Sequence, residues 1–177
     1  MEEVLHFWFS ELTPDDWWKK SDELDRLIEK RFLRVHQAAT RGELFHWRNN
    51  AEGRLAEIIV LDQFSRNIYR GRPDSFSFDS LALILSQEAV LSGSDAFLSP
   101  EKKAFLYMPY MHSESAVIHE EAVRLFSQKG LEGNLDFEHA HYNIIKKFGR
   151  YPHRNEILRR HSTQEEIEFL KGPNSSF

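Results

Sequence analysis

Apolar residues recur three and four positions apart along nearly the whole chain, and the strict alternation of a half-buried strand is sustained nowhere. The densest stretch is Leu55 to Gly71, LAEIIVLDQFSRNIYRG. Wound as a helix at about 100° per residue, it places Leu55, Ile58, Ile59 and Tyr69 in one sector. Leu61, Phe64 and Ile68 occupy the next, with Val60 and Ala56 beyond. A helix apolar nearly all round is a central one in a globular fold. The same wheel drops Asp62 and Arg66 into the apolar sector. Charges in a core need partners, and at i, i+4 these two are placed to be each other's. The central helix is therefore expected to carry inward-facing polar groups.

The flanking punctuation is helical as well. Glu2 to Ser10 reads as a short amphipathic helix. Thr13-Pro14-Asp15-Asp16 is a helix start: a capping side chain, proline at the first position, then acids facing the helix dipole, with Trp17 and Trp18 following. Ser21 to Arg41 carries Leu24, Leu27, Ile28, Phe32, Val35 and Ala39 at helical spacing and closes at Gly42. Trp47 is expected to anchor the connection before Gly53. The central helix runs to about Arg70 and stops at Gly71, with Pro73 beyond. Asp79 to Ser92 has Leu83, Ile84 and Val90 as its expected core. Ser99-Pro100-Glu101 starts the next helix, Pro109 is expected to interrupt it, and His112 to Lys129 resumes it. Asn134 reads as the cap of a helix through Phe148, and Pro152 opens a short one. Ser162-x-x-Glu165 and Thr163-x-x-Glu166 are overlapping capping boxes for the last helix, which ends at Lys171-Gly172-Pro173. The expected fold is all-α, about eight or nine helices in an antiparallel array with short loops. One domain spans 1–172, and 173–177 is a frayed tail. No repeat of about 34 residues is visible.

Composition narrows the function classes. The 177 residues include 14 Phe, 5 Tyr and 4 Trp, ample for a sizeable core, and carry a net charge of -5. That charge argues against nucleic acid as the main partner. There is no run of about 18 apolar residues, so no membrane span is expected. The start, MEEVLHFWF, is acidic and lacks the cationic region of a signal peptide. With no cysteine, disulfides, thiol catalysis and thiolate metal sites are excluded. A cytoplasmic setting is expected.

Several polar constellations are candidates for chemistry. Asp62 with Arg66 could orient a ligand or simply form an intrahelical ion pair. Gln63 and Asn67, also at i, i+4, could bond the next helix or a ligand. Gly149-Arg150-Tyr151-Pro152-His153-Arg154-Asn155 is the sharpest. Gly149 ends one helix and Pro152 starts another, so His153 and Arg154 lie in a first helical turn, where free N–H groups and the dipole favour an anion. Arg150, His153 and Arg154 would add charged donors suited to phosphate or carboxylate. The alternative is that these arginines cap carbonyl ends of neighbouring helices. His112-x-Glu114 matches part of a zinc-deaminase signature, which also needs Pro-Cys-x-x-Cys and so fails. His119-Glu120 lacks the second histidine of a zincin. His141 lines up with Ile144, Ile145 and Phe148 and reads as a core histidine. Between Lys146 and His161 there are six Lys or Arg against one acid, Glu156, with too few aromatics for an RNA surface.

Three stretches carry a resemblance: LDQFSRNIYRG at 61–71, YMPYMHSE at 107–114, and HYNIIKKFGRYPHRN at 141–155 followed by ST-x-EE at 162–166. Together they resemble the bacterial domain-of-unknown-function 924 family over nearly the whole chain. Asp62, Gln63, Arg66 and Asn67 match the first motif. Pro109, His112, Ser113 and Glu114 match the second. His141, Phe148, Gly149, Arg150, Pro152, His153, Arg154 and Asn155 match the third. The chain departs from the family pattern at Leu158-Arg159-Arg160, where the pattern reads Leu-Gly-Arg, and at Ile118-His119, where it reads Asp-Gln. The resemblance implies a helical fold similar to tetratricopeptide-repeat-like superhelices, and no activity.

The leading expectation is a polar, arginine-rich pocket for a small anionic ligand bearing phosphate or carboxylate. Arg66, Arg150 and Arg154 would hold the anion, and Asp62 would orient Arg66. Gln63, Asn67 and Asn155 would complete the lining. His112, Glu114, His141 and His153 are the candidates for proton transfer, and no cofactor or metal is called for. Two alternatives stay open. One is a tetratricopeptide-like scaffold binding a protein or peptide, with a working surface around Trp17, Trp18 and Trp47. The other is a metal-dependent hydrolase, which requires at least three of His112, Glu114, His141 and His153 to converge.

Overall fold

The computed structural model describes residues 1–173 and 175. Among them there are helices and turns and no strand. The helices are α1 (Glu2–His6), α2 (Pro14–Trp18), α3 (Asp22–Thr40), α4 (Ala51–Ile59), α5 (Ser65–Ile68), α6 (Asp79–Leu91), α7 (Pro100–Met111), α8 (Ala116–Phe126), α9 (Glu132–Phe148) and α10 (Gln164–Leu170). Since α4 and α5 are joined into one rod by a π-helical turn, Val60–Phe64, the count is nine among the described residues. No helix among them is long and apolar enough to cross a membrane. Of the tail expected at 173–177, residues 174, 176 and 177 lie outside the described residues. Ser175 is buried, its hydroxyl donating to the Leu170 carbonyl.

Neighbouring helices pack on one another through the array: α3 on the central rod, α4 on α6 and α7, α6 on α7, α7 on α8, and α8 on α9. The central rod is buried as its sequence predicts. Leu55, Ala56, Ile58, Ile59, Val60, Leu61 and Phe64 are all fully enclosed. Around it Phe7, Trp8 and Phe32 contribute rings to the core, with Phe32 and Phe64 centroids 4.8 Å apart and Trp8 and Phe64 5.7 Å apart.

The helix starts follow local chemistry. Thr13 with Asp16 and Thr163 with Glu166 form complete capping boxes, and Ser21, Asn50 and Ser99 accept from the third residue of their helices. Three expectations are corrected. Asn134 lies inside α9, which begins at Glu132. Pro109 does not interrupt α7: it is buried within the last turn, the helix runs on to Met111, and its missing N–H forgoes a single ladder bond, to the Phe105 carbonyl. Finally, α6 does not bury Ile84, which is 54% exposed. Its inner face is Ala82, Leu85, Ser86 and Ala89, all but Leu85 small, which lets α4 and α7 approach closely, and the Ser86 hydroxyl donates to the Leu106 carbonyl of α7.

Arg159 is the one residue other than glycine at positive φ among those described, at 54°. Its neighbours make the two bonds of a Schellman ending: Arg160 N to Asn155 O at 2.8 Å and Arg159 N to Glu156 O at 3.1 Å. That position favours glycine, which has no β-carbon to clash there. Relief of the left-handed penalty, about 1–2 kcal/mol, outweighs the extra freedom glycine gives the unfolded chain, about 0.4–1 kcal/mol. Arg159→Gly is expected to raise the thermal midpoint by about 2 °C, read in a melt. A lowered midpoint would refute it.

Candidate functional site

The π-helical turn decides what the central rod presents. It adds one residue to the turn carrying Asp62 and Gln63, and both side chains end up buried. Asp62 then meets α7 rather than its own helix: its Oδ1 lies 2.8 Å from Nδ1 of His112, and its Oδ2 accepts from Gln63 Nε2 at 2.6 Å. The expected Asp62–Arg66 pairing is secondary, at 3.5 Å. Arg66 instead donates to the Asp62 carbonyl at 2.6 Å and places a two-pronged contact, 3.1 and 3.2 Å, on Asp79 at the start of α6. Arg154 reaches the same carboxylate, donating from Nη1 to Oδ2 at 3.2 Å. Two guanidinium groups thus share one aspartate, and the aspartate that joins them was read from the sequence only as a helix start.

Arg154 is the unusual member. It is 6% exposed, and its guanidinium lies 4.6 Å from the ring centroids of both Phe76 and Tyr151. Its Nε is buried without a hydrogen-bond partner among the described residues. A cleft of about 320 Å³ opens over it, walled by Phe76, Asp79, Pro109, His112, Glu114 and Arg154. The wall's electrostatics follow from burial. Burial alone would raise the Asp62 carboxyl, but its interactions with His112 and Arg66 outweigh it and hold the group below the usual carboxylate range. His112 is lowered from its ordinary value by burial and then by the Arg66 charge, which together exceed the pull of Asp62. Arg154 is lowered by burial and by Arg66, yet a guanidinium stays charged. At neutral pH the cleft wall therefore holds an ionised Asp62, a neutral His112 and two arginine charges.

The remaining candidates divide among other places. Glu114 lies in the cleft wall, but its carboxylate is engaged: it accepts Tyr151 N at 2.7 Å and a fork from Arg160 at 2.6 and 2.9 Å. Arg150 is not at the cleft. It forks onto Glu166 at 2.7 and 2.8 Å and donates to the His161 carbonyl. Asn155 belongs to the same clamp, bonded to Ser162, Glu166 and Arg160. These contacts lower Glu166 to about 2, chiefly through Arg150. Asn67 faces another side of the molecule, where it and Arg70 bond Asp25. His141 donates Nδ1–H to the Phe137 carbonyl at 2.7 Å and stands edge-on to Tyr151. His153 is beside Tyr151 with Nδ1 buried. The expected anion site at a helix start after Pro152 is not formed, because the segment Pro152–Arg154 is a single 3₁₀ turn. Arg154 points from it into the cleft wall, while Arg150 points away.

Sequence reasoning missed the fully enclosed His119–Glu138 pair, Nδ1 to Oε1 at 2.6 Å, which ties α8 to α9. His119 Nε2 donates to the Ser113 carbonyl at 2.9 Å, fixing the loop between His112 and Glu114. A histidine facing an acid across two helices leaves no trace in local spacing. The tryptophan surface is reduced as well. Trp17 packs against Trp8, Phe9 and Phe105 and donates to the Trp8 carbonyl, and Trp47 packs against the core, leaving Trp18 as the exposed one. Among the described residues no three His, Asp or Glu form a group that could hold a metal ion, so the convergence a metal-dependent hydrolase needs is not met.

A family model described as a bacterial protein of unknown function (DUF924) matches residues 4–174. A solved structure of a protein of unknown function from Agrobacterium tumefaciens is similar, with 36% sequence identity, a TM-score of 0.92, and 97% of each chain covered. No curated protein matches the sequence.

Proposed function

The chain belongs to the DUF924 family of bacterial proteins, and on that premise we propose that its cleft binds a small carboxylate- or phosphate-bearing ligand on Arg154. One observation carries this reading. Arg154 is nearly enclosed, shares with Arg66 the one carboxylate it bonds among the described residues, and keeps donor capacity that none of them uses. A buried guanidinium with unmet hydrogen bonds costs free energy, and an anion entering the cleft would supply both the charge and the acceptors. Arg66 acts from behind: by taking both oxygens of Asp79 it limits how much of that carboxylate Arg154 can use.

A thermal-shift titration against phosphate, phosphorylated metabolites and dicarboxylates tests the reading. A ligand bound only to the native state at about 100 times its dissociation constant adds about 2.7 kcal/mol, or several degrees in the midpoint. Arg154→Ala is expected to keep the fold and lose that shift. An anion response that is absent from the wild type, or unchanged in the variant, sinks the reading.

A further inference from the structure

The same cleft contains a group that anion binding does not need. His112 stands at the C-terminal end of α7, its Nδ1 against Asp62 and its ring in the cleft wall. Asp62 is ionised and accepts, so Nδ1 carries the proton and Nε2 is the bare nitrogen. Nε2 has no hydrogen bond among the described residues and is not an enclosed atom, so it opens onto the cleft.

The histidine is held on every side. Asp62 is fixed in turn by Gln63 Nε2 and backed by Arg66. The following residue, Ser113, is tied through its carbonyl to His119, and Glu114 is locked by Arg160 and the Tyr151 N–H. An imidazole held in one tautomer by a buried carboxylate, with the other nitrogen open to a cleft that an anion-seeking arginine also lines, is the arrangement that general-base chemistry requires.

We propose that His112 is the general base of this cleft, and that Asp62 is its positioning residue. The step is a proton transfer to His112 Nε2 from an O–H or C–H of the ligand anchored on Arg154, or from a water beside it. The electron pair of the broken bond stays on the ligand or water oxygen or carbon. The new negative charge faces Arg154, and the imidazolium faces the Asp62 carboxylate. No oxidant or second reactant is involved. The proposal rests on the anion reading only for what is bound, since the state of His112 can be measured in the empty protein.

Two measurements test it. Long-range ¹H–¹⁵N correlation spectra of histidine-labelled wild-type protein at pH 7, with His112 assigned by its loss in His112→Gln, are expected to show a neutral ring protonated on Nδ1. A ring protonated on Nε2, or an imidazolium, overturns the proposal. Because this reading uses the wild type, it stands even if Asp62 variants fail to fold. Diethyl pyrocarbonate acylates bare imidazole nitrogens, and peptide mass spectrometry resolves which of the nine histidines react. His112 is expected among the fast ones, slowed about tenfold or more in Asp62→Asn, where the tautomer is no longer imposed. Inorganic phosphate should protect it in the wild type and not in Arg154→Ala. An unreactive His112 overturns the base, while a phosphate thermal shift that persists in His112→Gln leaves the anion reading standing. A fast His112 that phosphate does not protect separates base from ligand and overturns the transfer step.

Discussion

Lowering the pH from 7.5 to about 4.5 is expected to remove most of the protein's stability, because three histidines are held neutral inside the fold. Burial lowers His36 to about 4, His153 to about 4 with help from the neighbouring Arg154 charge, and His141 to about 3. In the unfolded chain the same rings protonate near pH 6.5. Between those values the unfolded state binds more protons than the native one, so stability is fully present above about pH 7.5 and falls as the pH falls. The cause at His36 can be followed atom by atom. The Ser65 hydroxyl donates to the Leu61 carbonyl, so its oxygen accepts from His36 Nε2–H at 2.7 Å. That leaves Nδ1 bare, buried and without a hydrogen-bond partner among the described residues, so a second proton there would find no acceptor among them. For His36 and His141, both nearly enclosed, the loss by pH 4 is of the order of 3 kcal/mol per ring or more. Two such losses rival the whole stability of an ordinary domain, about 5–15 kcal/mol. Glu166, held at about 2, extends the same trend below pH 4.5. Urea midpoints at pH 7.5, 6 and 5 should decline steadily, with acid unfolding complete between about pH 4 and 6. A midpoint that is flat from pH 7.5 to 5 would contradict this account.

The fold was legible because its signals are local. A three- and four-residue period, capping side chains and glycine stops each act within a few residues, and Thr13, Ser21 and Thr163 cap the helices that their sequence context announces. The inward turn of Asp62 and Arg66 was legible for the same reason. Their partners were not. The π-helical turn changes the phase of the rod after Val60, which hands Asp62 to His112 on α7 and leaves Arg66 for Asp79 on α6. No spacing along the chain encodes those meetings. Arg150 and Arg154 show the limit most plainly. They share one motif and one charge, and a single 3₁₀ turn sends one to Glu166 and the other into the cleft. Their separation by four positions would place them together on an α-helix, and the segment is too short to be one.

Gly53→Ala is expected to cost about 3 kcal/mol or more, because a β-carbon there meets the tightest contact found at any glycine among the described residues. Gly53 is the third residue of α4 and donates its N–H to the Asn50 side chain at 2.8 Å. The 3₁₀ segment Phe45–Asn49 folds back over it, so a β-carbon there would sit 1.9 Å from the Trp47 carbonyl oxygen and 2.8 Å from its carbon. Those atoms are backbone and cannot rotate away as a side chain would. The Met1 sulfur at 3.0 Å closes another side. Relief requires moving either α4 or the Phe45–Asn49 segment, and both are fixed. Arg48 from that segment forks onto the buried Glu57 of α4 at 2.7 Å through both oxygens. Shifting the two apart would leave the Glu57 carboxylate enclosed without its guanidinium, itself a loss of about 3–5 kcal/mol. Gly53 has an ordinary helical backbone, so the cost is one of space and not of φ, and Gly53→Ser should fare no better than alanine. Chemical denaturation at pH 7.5 decides the matter: a midpoint within experimental error of the wild type would mean that the Trp47 carbonyl yields freely.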